Sequence, residues 1–210
     1  MLKIGVLVSG SGSNMQSIID SINNKNITNA KIVTVVSNKD NVYALERAKN
    51  HNIPSIVIRK KDYNSMEEFD NAIIKHMKKY KVNLIVMAGF LSIVGPTLIN
   101  TYHNKIINIH PSLIPAFSGE GFYGLKVHEA ALKRGVKLTG ATVHFVTNKV
   151  DGGPIIIQKA IEVLENDTPL SLQERVKEQV EWTILPQAIN MIASNKIIII
   201  ENKVFKKEDN

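Results

Sequence analysis

Three polar side chains in this 210-residue sequence stand at positions where chemistry is possible. Asn108 and His110 close the apolar run KIINIH (105–110). Successive side chains of a strand alternate faces, so the amide and the imidazole point one way while Ile107 and Ile109 point the other. Pro111 and Pro115 then restrict the backbone, which places the imidazole on a stiff exit loop. The third group is Asp151 in DGGP (151–154), where two glycines permit the positive φ of a sharp reversal and let the carboxylate project into a cleft. Beside His110 that carboxylate is expected to favour the imidazolium, raise its pKa and supply an acid usable near neutral pH. Amide, histidine and carboxylate together could stabilise an oxyanion and move protons with neither a metal nor a covalent nucleophile. Each also has a plainer role: His110 as a strand cap bonded to a nearby carbonyl, Asp151 as the acceptor of an Asx turn.

A second cluster is SGSGSN (9–14), between the first apolar run and a helical segment. A Gly-Ser turn feeding a helix N-terminus offers backbone N–H groups and the positive end of the helix dipole, which suits an anionic oxygen. Met15 stands where G-x-G-x-x-G needs its third glycine, and no Gly-Lys-Ser/Thr follows. A single phosphate monoester therefore fits better than a dinucleotide or a triphosphate. The same residues also suit an ordinary βα turn capped by Ser13 or Asn14. His51, His76 and His103 show no metal-ligand spacing and read as surface or packed histidines, while His144 could line the cleft or pack. No G-x-S-x-G occurs, which disfavours a serine hydrolase.

The elements that must position these groups follow from periodicity. Residues 2–9, 30–37, 54–59, 83–88 and 105–110 are β-branched apolar runs ending in turn residues, as strands buried on both faces are. Between them, Met15, Ile18, Ile19 and Ile22, and again Phe69, Ala72, Ile73 and His76, follow the spacing of one helix face. Strand and helix alternate, which predicts a parallel sheet with right-handed crossovers. After residue 135 the pattern changes: 138–147 and 153–164 read as strands joined by a short link and paired antiparallel. A helix of about 20 residues follows, with Thr168 as N-cap and Pro169 in its first turn. KIIIIENKVF near the end reads as a final edge strand.

The chain is long enough for one domain burying roughly 70% of its unfolded surface. We expect a single domain over 1–210, with a phosphate-binding half over about 1–104 and a catalytic half over about 105–210. Zero cysteines exclude disulfides and thiolate metal sites. With no apolar stretch near the ~20 residues of a membrane span and no secretion signal, a cytoplasmic protein is expected, with no membrane partner. The net charge of +7 is spread out, its densest groups (RKKD at 59–62, KKYK at 78–81) look like solvated element ends, and no aromatics interleave with them. Nucleic acid is therefore not expected as a partner, whereas small polyanionic substrates would be drawn in.

Taken together, GSGSN (10–14), AGFLSIV (88–94), NIHPSLIPAF (108–117) and HFVTNKVDGGPII (144–156) resemble the folate-dependent phosphoribosylglycinamide formyltransferases of purine synthesis, over about residues 3–190. The resemblance implies a Rossmann-like parallel sheet continuing into a mixed, partly antiparallel half. It implies transfer of a formyl group from 10-formyltetrahydrofolate, as co-substrate and without metal, to the amine of phosphoribosylglycinamide, by a monomer or homodimer acting on small molecules. It also implies Asn108, His110 and Asp151 as the catalytic triad, Gly12, Ser13 and Asn14 at the ribose phosphate, and Glu181 as a glycinamide contact. The folate pocket it implies comprises Leu91, Ser92, Ile93, Val94, Asn108, Thr147 and Val150. Met66 stands where several members carry an arginine that assists folate, and loop 118–128 is longer than in some relatives. Initiator-tRNA formyltransferases add a carboxy-terminal RNA-binding domain and formyltetrahydrofolate hydrolases an amino-terminal regulatory one, so the glycinamide branch is the expectation. A silent phosphate-ligand sensor is the reading from another class, and the intact triad opposes it.

Overall fold

The computed structural model describes residues 1–207. Alternating elements fill the first half: β1 (Leu2–Val8), α1 (Ser13–Asn23), β2 (Ala30–Ser37), α2 (Tyr43–Asn50), β3 (Ser55–Val57), α3 (Met66–Lys79), β4 (Leu84–Met87), α4 (Pro96–Thr101) and β5 (Ile106–His110). The second half comprises α5 (Leu125–Arg134), β6 (Leu138–Phe145), β7 (Ile155–Glu162), α6 (Pro169–Val176), a π-helical turn (Lys177–Glu181), α7 (Trp182–Ala193), β8 (Ile197–Ile200) and β9 (Lys203–Lys206). In hydrogen-bonding order the large sheet runs β3-β2-β1-β4-β5-β6-β7. The chain divides into two compact units, and the break falls inside β5, after Asn108.

In the first unit every pairing is parallel: β1 with β2 and β4, β2 with β3, β4 with β5. Ile4, Val6, Leu7 and Val8 of β1 are fully buried, because helices cover both faces of a parallel sheet. The order reverses direction at β1, whose neighbours lead to β2 and β3 on one side and to β4 on the other. Open α/β sheets take ligands at the carboxyl ends of the strands beside such a reversal. Met15, Ile18, Phe69, Ile73 and Met77 of α1 and α3 are buried as their spacing predicts.

In the second unit β6 and β7 pair antiparallel, with an irregularity between Val143 and His144. Thr168 caps α6 by accepting from Ser171 N–H, and Pro169 occupies the first turn. Two expectations are corrected. The long helix continues past 20 residues to Ala193, through the π-helical turn. The last apolar segment is a two-stranded hairpin, β8 with β9, rather than an edge strand of the main sheet. Glu201 and Asn202 at its tip both have positive φ, 47 and 61°, the backbone that a tight two-residue hairpin turn requires.

Candidate active site

His110 ends β5 and is 4% exposed. Its Nε2 lies 2.9 Å from the carbonyl oxygen of Phe117, which can only accept, so Nε2 carries the proton and Nδ1 is the working edge. The loop that brings Phe117 back is tied at several points. Ser112 Oγ donates to Ala116 O (2.6 Å), Thr142 Oγ1 donates to Ser112 O (2.6 Å), and Ile114 N–H donates to Thr142 Oγ1 (3.1 Å). The prolines stiffen this exit, and the hydrogen bonds to β6 fix where it goes.

Asp151 reaches His110 from the link between β6 and β7: its Oδ2 is 3.5 Å from Nδ1 and accepts the Gly119 N–H at 2.9 Å. Its Oδ1 is 3.6 Å from Nε2 of His144, a third buried group whose Nδ1 lies 2.8 Å from Phe145 O. The reversal differs from expectation in one respect: the positive φ falls on Asp151 itself (51°), not on Gly152 or Gly153. Asp tolerates that region better than most residues. Gly153 is required for closeness instead, since a Cβ there would collide with the carbonyl of Phe145.

Burial pushes the pKa of His110 down, and it does so by more than Asp151 and the Phe117 carbonyl push it up; His144 adds to the lowering. The expected net rise is therefore overturned, because removing the ring from water costs its cation more than one carboxylate at 3.5 Å returns. Asp151 goes the other way. Burial alone would raise its carboxyl, but His144, His110 and the Gly119 amide outweigh this and hold it below the usual range. The resting pair is thus a carboxylate facing a largely neutral imidazole with a bare Nδ1. Added negative charge beside this edge would draw a proton to it.

Asn108 lies two residues before His110 on the same face of β5 and is half-buried. In the first unit, Gly12 is the N-cap of α1, with φ 72°. Ser13 and Asn14 form its first turn. Leu91 and Ile93 stand 49 and 54% exposed beyond β4, while Val94 is buried. This segment is pinned by Leu91 N–H to Ser9 Oγ (2.8 Å), Asn38 Nδ2 to Ser92 Oγ (2.6 Å), and Gly95 N–H to the buried Asp70 carboxylate (2.9 Å). Thr147 and the 44% exposed Val150 lie on the link that carries Asp151. Glu181 is buried at the end of the π-helical turn, a distortion that recurs at functional sites. Met66 opens α3.

Residues 2–189 match the formyl transferase family, and the chain belongs to that family. A phosphoribosylglycinamide formyltransferase of Haemophilus influenzae is 37% identical over 98% of this chain and 93% of its own length. The human trifunctional purine biosynthetic protein adenosine-3 is 41% identical over 95% of this chain, which spans 19% of that protein; for its Chironomus tentans counterpart the share is 14%. Among solved structures, glycinamide ribonucleotide transformylase 1 from Symbiobacterium toebii superposes with a TM-score of 0.93 at 38% identity, covering 99% of this chain and 95% of that one.

Proposed function

We propose that this protein transfers the formyl group of 10-formyltetrahydrofolate to the amine of 5'-phosphoribosylglycinamide, giving formylglycinamide ribonucleotide and tetrahydrofolate in de novo purine biosynthesis. Full-length similarity to phosphoribosylglycinamide formyltransferases supports the substrates. The observation that carries the mechanism is the buried His110–Asp151 pair, fixed on its Phe117 side and with Nδ1 3.5 Å from the carboxylate. Both compact units belong to one catalytic domain in this reading, since the family match runs through the break after Asn108.

The glycinamide amine attacks the formyl carbon, forming the new C–N bond while the carbonyl π electrons move to oxygen. The Asn108 amide and the positive charge of protonated His110 stabilise that oxyanion, an effect for which one donor typically contributes about 100- to 1,000-fold in rate. His110 is pushed low at rest, and the oxyanion together with ionised Asp151 is the negative charge that makes its protonation favourable. Asp151 orients a proton path from the attacking nitrogen to the folate nitrogen, whose bond to carbon then breaks, so no net proton is gained. Gly12, Ser13 and Asn14 take the phosphate, Glu181 the glycinamide side, and Leu91, Ser92, Ile93, Val94, Thr147 and Val150 the folate, with its ring against the exposed Leu91 and Ile93.

A spectrophotometric assay of purified protein with 10-formyltetrahydrofolate tests this. Tetrahydrofolate is expected only when phosphoribosylglycinamide is added, and not with free glycine. Deformylation that needs no acceptor would replace the transferase reading by a hydrolase.

A further inference from the structure

Three successive carbonyls of the loop after β1 are each held by a different partner. Gly10 O accepts from Ala44 N–H at 3.2 Å, Ser11 O from Arg47 Nε at 3.0 Å, and Gly12 O from Gln16 N–H at 2.9 Å. In a trans peptide unit the C=O of one residue and the N–H of the next point in opposite directions. Turning the Ser11 carbonyl towards α2 therefore aims the Gly12 N–H away from α2. The first and third carbonyls are held by backbone amides, but the middle one depends on a side chain.

That side chain is itself fixed. Arg47 Nη1 donates to Gln16 Oε1 at 3.0 Å, and the guanidinium lies over the Tyr43 ring, 4.7 Å from its centre. Gln16 is held in turn by Asp20 at 2.8 Å and by His51 at 3.2 Å. The loop also lies directly on α2, because a Cβ at Gly12 would come within 2.7 Å of the Ala44 Cβ and 3.5 Å of the Arg47 Cδ.

We infer that Arg47 is a positioning residue for phosphate recognition: it acts through the Ser11–Gly12 peptide, orienting the Gly12 N–H towards the phosphate of the glycinamide substrate. The inference rests on the reading of Gly12, Ser13 and Asn14 as the phosphate site. Geometry is central here, since the guanidinium supplies two N–H donors in a fixed fork, one to Ser11 O and one to Gln16, which a lysine ammonium cannot reproduce.

The test is steady-state kinetics of wild type, Arg47→Lys and Arg47→Gln, each with phosphoribosylglycinamide and with its dephosphorylated riboside. Both variants are expected to raise KM for the phosphorylated substrate about tenfold, the size of one lost charge-assisted hydrogen bond. Turnover and KM for 10-formyltetrahydrofolate should stay within about twofold, and the advantage of phosphorylated over dephosphorylated substrate should shrink by the same factor of about ten. Wild-type behaviour of Arg47→Lys would mean that charge alone suffices, and would overturn the inference. So would equal losses on both substrates, which mark a general structural role. If wild type itself shows no preference for the phosphorylated substrate, the phosphate reading falls and takes the inference with it, a result visible before any variant is made.

Discussion

Acidification should reveal a buried histidine that takes no part in the proposed chemistry. His128 on α5 is 1% exposed, and neither ring nitrogen has a hydrogen-bond partner among the described residues. Burial, reinforced by Lys177 and then by His110, pushes its pKa down to about 4. In the unfolded chain the same ring titrates near 6.5. Above that value both states are neutral and His128 adds no pH dependence. As pH falls towards 4 the unfolded chain binds a proton that the native one refuses, so stability declines by up to about 1.4 kcal/mol per pH unit. At pH 4.5 the accumulated loss is about 2–3 kcal/mol. For a chain of this length that corresponds to roughly 5–10 °C in Tm. His76 and His110, also held low by burial, lose stability in the same direction, so the informative quantity is a difference between proteins. Denaturant titrations of wild type and His128→Leu at pH 7.5 and 4.5 supply it. Leucine leaves no polar partner stranded, so the variant should match wild type at pH 7.5 and lose about 2–3 kcal/mol less on acidification. Parallel pH profiles for the two proteins would refute the reasoning.

His110→Ala should lower kcat about 100- to 1,000-fold and Asp151→Asn about 100- to 10,000-fold, while protection against thermal unfolding by phosphoribosylglycinamide survives in both. Near-normal turnover in both would remove them from the mechanism. Gly12→Ala should raise KM for phosphoribosylglycinamide and cost more than about 1 kcal/mol of stability, because φ is 72° and the new methyl meets Ala44; unchanged values of both would contradict the loop's assignment.

Much of the architecture was readable from the sequence because its strands are continuous β-branched runs and its helices keep one apolar face. The pairing of β6 with β7 and the Thr168 cap were legible for the same local reasons. The terminal hairpin was not, since IIIIENKVF carries its turn in Glu201-Asn202 with no glycine to mark it. Within the site, the alternation around Ile109 and the DGGP turn singled out His110 and Asp151, and the fold brings them to 3.5 Å. The sequence does not separate cleft from core for His144, because the irregularity in β6 falls directly before it and breaks the alternation from which its direction would be read. Its signal was its place on the strand feeding the turn, seven residues before Asp151. The depressed pKa of His110 depends on how completely the ring is enclosed, a quantity no local pattern carries.

The left-handed backbone at Asp151 narrows what evolution can do at this position. Side chains that accept such torsions readily are few, chiefly glycine, asparagine and aspartate itself. A lineage that abandoned the reaction yet kept the scaffold is therefore expected to drift to asparagine or glycine here.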